Sequence, residues 1–120
     1  MTNGQVLEQG QELRSINQKY RLAMQTDGNL VMYRSNGAVR WASHTYHHGC
    51  PPYKLVMQTD NNLVVYGYAS RAIWNTHTWD RGTAGARAVL QDDGNFVIYD
   101  GSRNVLWHSG TYGKLAVNFS

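Results

Sequence analysis

The sequence predicts an all-β domain of three antiparallel sheets set around a pseudo-threefold axis. Three observations predict it. The pattern Gln-x-Asp-x-Asn-x-Val-x-Tyr recurs three times at a constant step of 33 positions, beginning at 25, 58 and 91. Apolar and polar residues alternate on both sides of a turn at the centre of each recurrence. Glycine is abundant (12 residues) and proline rare (2), which together with many β-branched and aromatic residues suits short strands joined by tight turns.

The 120-residue chain is one domain, 1–120, with repeats at approximately 20–46, 53–79 and 86–112. The segment 11–16 precedes the first repeat and is expected to add a strand. In the first repeat Leu22, Met24, Leu30 and Met32 are apolar, and Arg21, Gln25, Asn29 and Tyr33 beside them are mostly polar. Leu55, Met57, Leu63 and Val65 hold the apolar places in the second repeat; Ala88, Leu90, Phe96 and Ile98 hold them in the third. Helical repeats of similar period exist, but an alternation of two belongs to strands.

Parity also fixes the turn. A two-residue loop at Asp27-Gly28 would set Gln25 opposite Leu30 and scramble the faces. A three-residue loop, Thr26-Asp27-Gly28, pairs Gln25 with Asn29 and Met24 with Leu30, so both faces stay consistent. Such loops need positive φ at their third residue, which Gly28 and Gly94 adopt freely and Asn61 tolerates. Each unit then turns again, at Asn36-Gly37 in the first, into a third strand ending at Trp41, Trp74 or Trp107. Each sheet has one apolar face, and three such faces can be buried against one another as a three-sided prism. The tryptophans fit best near its axis, where large rings fill the converging space. At the C-terminus Leu115, Val117 and Phe119 alternate with Ala116, Asn118 and Ser120, so 114–119 reads as an amphipathic strand that needs a partner, in a second subunit of a homodimer.

The invariant residues are mostly polar, which packing alone does not require. Gln25, Asp27, Asn29, Val31 and Tyr33; Gln58, Asp60, Asn62, Val64 and Tyr66; and Gln91, Asp93, Asn95, Val97 and Tyr99 form three identical sets of amides, acid, apolar contact and phenol. Turn chemistry accounts for Asp27 and Gly28 but not for the constancy of Gln, Val and Tyr. The sets are therefore read as three small binding sites for a ligand rich in hydroxyl groups.

The motif QxDxNxVxY, intact at all three positions, closely resembles the signature of the bulb-type mannose-binding lectins of monocot plants, and the likeness covers essentially the whole chain. The resemblance implies a β-prism II fold with one shallow, metal-independent pocket per sheet, selective for α-D-mannose. It implies that Asp27 and Asn29 bond the axial 2-hydroxyl, Gln25 the 3-hydroxyl and Tyr33 the 4-hydroxyl, with Val31 against ring carbons 3 and 4. The same roles fall on the second and third sets. Three pockets per chain, doubled in a homodimer made by exchange of the C-terminal strand, are expected to bind mannose-containing glycans multivalently. One departure stands out. Plant members have a disulfide at positions that align with Gly28 and Tyr53, and Cys50, the single cysteine, has no partner within the chain. Loss of that crosslink is expected to lower stability by roughly 2–4 kcal/mol unless something compensates.

Other function classes find little support. The net charge of +3 is scattered, with no basic run, which argues against nucleic acid as a partner. No segment reads as a membrane span or a signal peptide, so cytoplasmic synthesis is expected, with export by an unusual route left open. His44, His47, His48 and Cys50 match no zinc spacing and read as a solvated loop, so neither metal nor cofactor is expected. Glycosidases need two carboxylates and each unit keeps one constant, so no catalytic residue is assigned. The short Gln-x-Trp motif of β-trefoil lectins is absent. Arg21, Lys54 and Arg87 hold a positive charge at the edge of each polar face. The rival reading is a β-prism toxin or protein-interaction module acting through another surface.

Overall fold

Each repeat folds into a three-stranded antiparallel meander, seen in a computed structural model that describes residues 1–112. The strands are β1 (Val6–Glu8), β2 (Glu12–Arg14), β3 (Tyr20–Met24), β4 (Leu30–Arg34), β5 (Val39–Ala42), β6 (Lys54–Met57), β7 (Leu63–Tyr66), β8 (Ala72–Asn75), β9 (Arg87–Leu90), β10 (Phe96–Tyr99) and β11 (Val105–His108). They form sheet I (β2-β3-β4-β5), sheet II (β1-β6-β7-β8) and sheet III (β9-β10-β11). A 3₁₀ turn at Tyr68–Ser70 is the only helical element among the described residues, and no helix there is long and apolar enough to cross a membrane.

The register follows from the side-chain parity. Met24 pairs with Leu30, Leu22 with Met32 and Arg21 with Tyr33, and the same pairs recur in the other two hairpins. The loops have three residues, closed by Gln25 N–H to Asn29 O (3.0 Å), Gln58 N–H to Asn62 O (2.9 Å) and Gln91 N–H to Asn95 O (2.9 Å). Gly28, Asn61 and Gly94 carry the expected positive φ of 89°, 73° and 89°. The third strands run one residue past each tryptophan, and a bulge in each pairing re-aims the strand near the tyrosine.

The inner faces meet in one core, in which Leu22, Met24, Leu30 and Met32 and their counterparts are almost fully buried. Trp41, Trp74 and Trp107 form a ring around the axis, with centroids 5.5–5.8 Å apart and every pair edge-to-face. Each such pair adds about 0.5–1.5 kcal/mol beyond burial.

The units also interlock cyclically at their turns. Tyr53 of the second unit lies under the Gly28 turn of the first, so close that a methyl group at Gly28 would stand 2.8 Å from the ring. Tyr20 lies under the Gly94 turn in the same way. The third junction uses the opposite sizes: Ala86 lies beneath Asn61, whose Oδ1 accepts from Ala86 N–H (3.2 Å) and whose Nδ2 donates to Arg81 O and Thr83 O (2.8 and 2.9 Å). The positions aligned with the plant crosslink, Gly28 and Tyr53, therefore do meet, through a buried ring whose hydroxyl donates to His48 O at 3.0 Å.

Segment 11–16 supplies β2, as expected. β1 was not anticipated, because three residues carry too little alternation to read as a strand. Sheet III has three strands among the described residues. Beside β9, Met1 and Thr2 take two places of a fourth: Met1 and Ala88 exchange hydrogen bonds at 2.7 and 2.8 Å, and Thr2 bridges to Arg87. The predicted strand 114–119 lies outside the described residues.

Candidate functional site

The outer face of each meander carries the invariant set. Val31, Val64 and Val97 sit at the centre of the second strands, 2–3% exposed, and form an apolar floor. Glutamine enters from the end of the first strand and tyrosine from the end of the second. Gln25 Nε2 donates to Tyr33 Oη at 2.5 Å, Gln58 Nε2 to Tyr66 Oη at 2.5 Å, and Gln91 and Tyr99 pair alike. With its NH₂ so engaged, each glutamine presents Oε1 outward as an acceptor. Each tyrosine, accepting from glutamine, has its own proton to donate.

The turn orients the other pair. Asp27 Oδ1 accepts from Asn29 N–H (2.9 Å), Asp60 Oδ1 from Asn62 N–H (3.0 Å) and Asp93 Oδ1 from Asn95 N–H (2.9 Å), which leaves the second carboxylate oxygen of each as an acceptor. The asparagine amides are fixed by the residues that follow the tryptophans. Asn29 Oδ1 accepts from Ser43 Oγ and Thr45 N–H (3.2 and 3.1 Å), and Asn62 Oδ1 from Thr76 Oγ1 and Thr78 N–H (both 3.2 Å). Asn95 Oδ1 accepts from Ser109 Oγ, Gly110 N–H and Thr111 N–H at 3.0–3.3 Å. Each Oδ1 is therefore consumed inside the protein, and Nδ2 is the atom offered to a ligand.

Each unit thus gathers two acceptors (Asp Oδ2, Gln Oε1), two donors (Asn Nδ2, Tyr Oη–H) and a valine floor. In the third unit Gln91, Asn95, Val97 and Tyr99 line one concavity of about 370 Å³ with Val105 and His108. Arg21 stacks over Tyr33 at 4.4 Å and Arg87 over Tyr99 at 5.8 Å, so the basic edge predicted from sequence borders the phenols.

Sequence reasoning missed the third-strand wall. Ala42, Asn75 and His108 stand directly opposite Val31, Val64 and Val97. Asn62 Nδ2 donates to Asn75 Oδ1 at 3.4 Å, and Asn95 Nδ2 lies 3.3 Å from His108 Nδ1. The three pockets therefore share a centre and differ along one side. Ser43, Thr76 and Ser109 were missed too, although hydroxyl residues at a step of 33 were a legible signal. Thr45, Thr78 and Thr111 keep the same step, and each donates its Oγ1 proton to the turn carbonyl of Gly28, Asn61 or Gly94 at 2.7 Å. Among the described residues, no group of three or more His, Cys, Asp or Glu side chains is arranged to hold a metal.

Three outward polar sets on a three-sheet prism define a β-prism II domain built like a lectin. No family model matches the chain, and no curated protein does. Solved structures do. A monomeric monocot mannose-binding lectin from Gastrodia elata is 39% identical with a TM-score of 0.84, covering 93% of this chain and 96% of that one. The mannose-specific agglutinin of snowdrop (Galanthus nivalis) bulbs, solved with methyl-α-D-mannoside, is 34% identical with a TM-score of 0.76, covering 93% and 95%. Polygonatum cyrtonema lectin, solved with a monomannoside, is 36% identical with a TM-score of 0.75, covering 92% and 94%. The chain belongs to the monocot bulb-type mannose-binding lectin family, whose members bind carbohydrate rather than catalyse a reaction.

Proposed function

We propose that this protein is a lectin binding terminal α-D-mannose and high-mannose glycans, without a metal, through three pockets per chain. The observation that carries the reading is the recurrence, in all three units, of two acceptors and two donors around a valine floor. A pyranose presents hydroxyls that donate and accept at once. The axial 2-hydroxyl accepts from Asn Nδ2 and donates to the free Asp oxygen; the 3-hydroxyl donates to Gln Oε1; the 4-hydroxyl accepts from the Tyr proton. The ring carbons between them rest on valine. Bonds to the ionised carboxylate are the strongest of the set. An equatorial 2-hydroxyl would leave the Asp–Asn pair unmatched, and that mismatch is the basis of selection against glucose.

Four or five such bonds in competition with water correspond to a dissociation constant on the order of millimolar, about −4 kcal/mol. Affinity for a cell surface then comes from number: linked pockets raise avidity by roughly 10²–10⁴ where geometry permits. We further infer a homodimer in which 114–119 of one chain completes sheet III of the other. In support, among the described residues β9 has an open edge beside Val89 and Leu90, with a groove of about 650 Å³ rimmed by Leu13 and by Ile16, which is 91% exposed. Light scattering compares the full chain with one ending at Tyr112. The dimer reading expects the mass to halve on truncation; a monomer in both cases overturns it.

The pocket reading is tested on a glycan array with the wild type and the Asp27→Ala/Asp60→Ala/Asp93→Ala variant. Strong signal on terminal α-mannose, lost in a variant that keeps its β-sheet circular dichroism, is the expected result. Undiminished binding by the folded variant would refute the site assignment.

A further inference from the structure

Each unit also places an aromatic residue immediately after its buried threonine, at the same step of 33: Tyr46, Trp79 and Tyr112. The geometry points to these rings as stacking platforms beside the pockets, each taking the second pyranose of an oligomannoside whose terminal residue occupies the pocket. The inference rests on the mannose reading and extends it from one sugar residue to two.

The backbone on either side of the ring is tied to the pocket's own residues. Before Tyr46, Thr45 N–H donates to Asn29 Oδ1 (3.1 Å); after it, His47 N–H donates to Asp27 O (2.6 Å). Before Trp79, Thr78 N–H donates to Asn62 Oδ1 (3.2 Å); after it, Asp80 N–H donates to Asp60 O (2.6 Å). In the third unit Thr111 N–H donates to Asn95 Oδ1 (3.3 Å). Each aromatic residue is thereby held next to the Asp–Asn pair that takes the 2-hydroxyl.

Tyr46 and Trp79 are not core residues. Thr45 and Thr78 are 4% and 0% exposed, whereas Tyr46 and Trp79 are 57% and 52% exposed. The axis of the prism is already filled by the other three tryptophans. An imidazole meets each exposed ring edge-on, His47 against Tyr46 at 5.7 Å and His77 against Trp79 at 5.8 Å, which restricts its rotation. A half-exposed aromatic surface matches a pyranose well: the sugar keeps its hydroxyls in water at the rim and covers the ring with its apolar C–H face. Asp and Asn take the 2-hydroxyl at the turn, and the linkage carbon C1 is bonded to C2, so the attached residue leaves from the end of the sugar nearest the loop that carries the ring.

The test is calorimetry with methyl α-D-mannoside and with a linear α-linked mannotriose. The wild type should bind the trisaccharide about tenfold more tightly than the monosaccharide, a change equivalent to about 1.4 kcal/mol. In Tyr46→Ala/Trp79→Ala/Tyr112→Ala that advantage should vanish while monosaccharide affinity stays unchanged. The corresponding triple phenylalanine variant should retain it. An alanine variant that keeps the full advantage overturns the inference, as does a wild type that binds both ligands equally, and in either case the mannose pockets stand. An alanine variant that loses the monosaccharide too overturns the second-residue role by placing the rings in the primary site. A wild type that binds neither sugar overturns the mannose reading and this inference together.

Discussion

Position 24 is Met, its counterpart one unit on is Met57, and two units on it is Leu90; Leu30, Leu63 and Phe96 are matched likewise, as are Met32, Val65 and Ile98. On the opposite face of the same strands, Gln, Asn, Val and Tyr are identical in all three units. The inner face requires apolar volume, which several residue types supply once their neighbours readjust. The outer face requires donors and acceptors at fixed points, and there a change of residue type changes the chemistry. Valine, apolar yet invariant and buried on the outer side, obeys the second rule.

The sharpest way to break this contrast keeps shape and changes one atom. In Asn29→Asp/Asn62→Asp/Asn95→Asp the internal oxygen still accepts from the Ser/Thr hydroxyls and the Thr backbone, but the outward Nδ2 donor becomes an acceptor beside an existing carboxylate. A lost hydrogen bond plus an unmatched polar atom weakens each pocket by roughly 100-fold. Calorimetry with methyl α-D-mannoside should find no measurable heat while thermal unfolding stays cooperative. Retained affinity would mean that the asparagines present their oxygen.

Much of this plan was legible in the sequence for reasons the contrast explains. Alternation around Asp27 fixed both the loop length and the face of every motif residue, because a one-residue slip exchanges the two faces of a strand. The tryptophans announced the axis because only a shared centre needs the same large ring three times. What was not legible depends on contacts between units. The pairing of Tyr53 with Gly28 and of Ala86 with Asn61 joins residues that belong to no common local pattern. The side wall of the pockets, Ala42, Asn75 and His108, was hidden because it varies, and a repeat draws attention to what does not.

The junctions offer a second contrast, between a large ring under glycine and a small residue under asparagine. Tyr53→Ala removes a side chain that is 3% exposed, and the resulting cavity should cost about 3–5 kcal/mol in urea unfolding. Gly28→Asn alone should also destabilise, since any Cβ there meets the Tyr53 ring. The double variant, which copies the Ala86–Asn61 junction, should recover part of the loss. Simple additivity of the two single effects would show that the junctions are not alternative solutions to one packing problem. Smaller effects are expected from moving inner residues between units. Met24→Leu and Met32→Ile import the third unit's choices and should cost less than about 1.5 kcal/mol each, with mannose affinity per folded molecule unchanged. A loss above 3 kcal/mol would make the inner face as exacting as the outer.

The smallest effect concerns a polar anchor that only the third unit has. Asp100 aligns with Arg34 and Gly67 in the other units. It accepts from the backbone N–H groups of Asn104 (2.9 Å), Thr83 (3.0 Å) and Ser102 (2.9 Å) and from Asn104 Nδ2 (3.2 Å), tying the 81–85 loop to the turn after β10. These bonds, with the Asn104 backbone foremost, lower its pKa from 3.8 to about 2. A folded-state pKa below the unfolded value stabilises the protein wherever the carboxylate is ionised in both states. The contribution is therefore complete above about pH 4, declines as pH falls towards about 2, and is absent below both values. Unfolding midpoints of the wild type and Asp100→Asn should differ by a constant amount near neutrality and converge across that acid window. Parallel curves down to pH 2 would mean that the anchor acts through shape rather than charge. Because Arg34 and Gly67 cannot make these bonds, the same acid titration should leave the turns after β4 and β7 intact, as amide protection in those two turns would report.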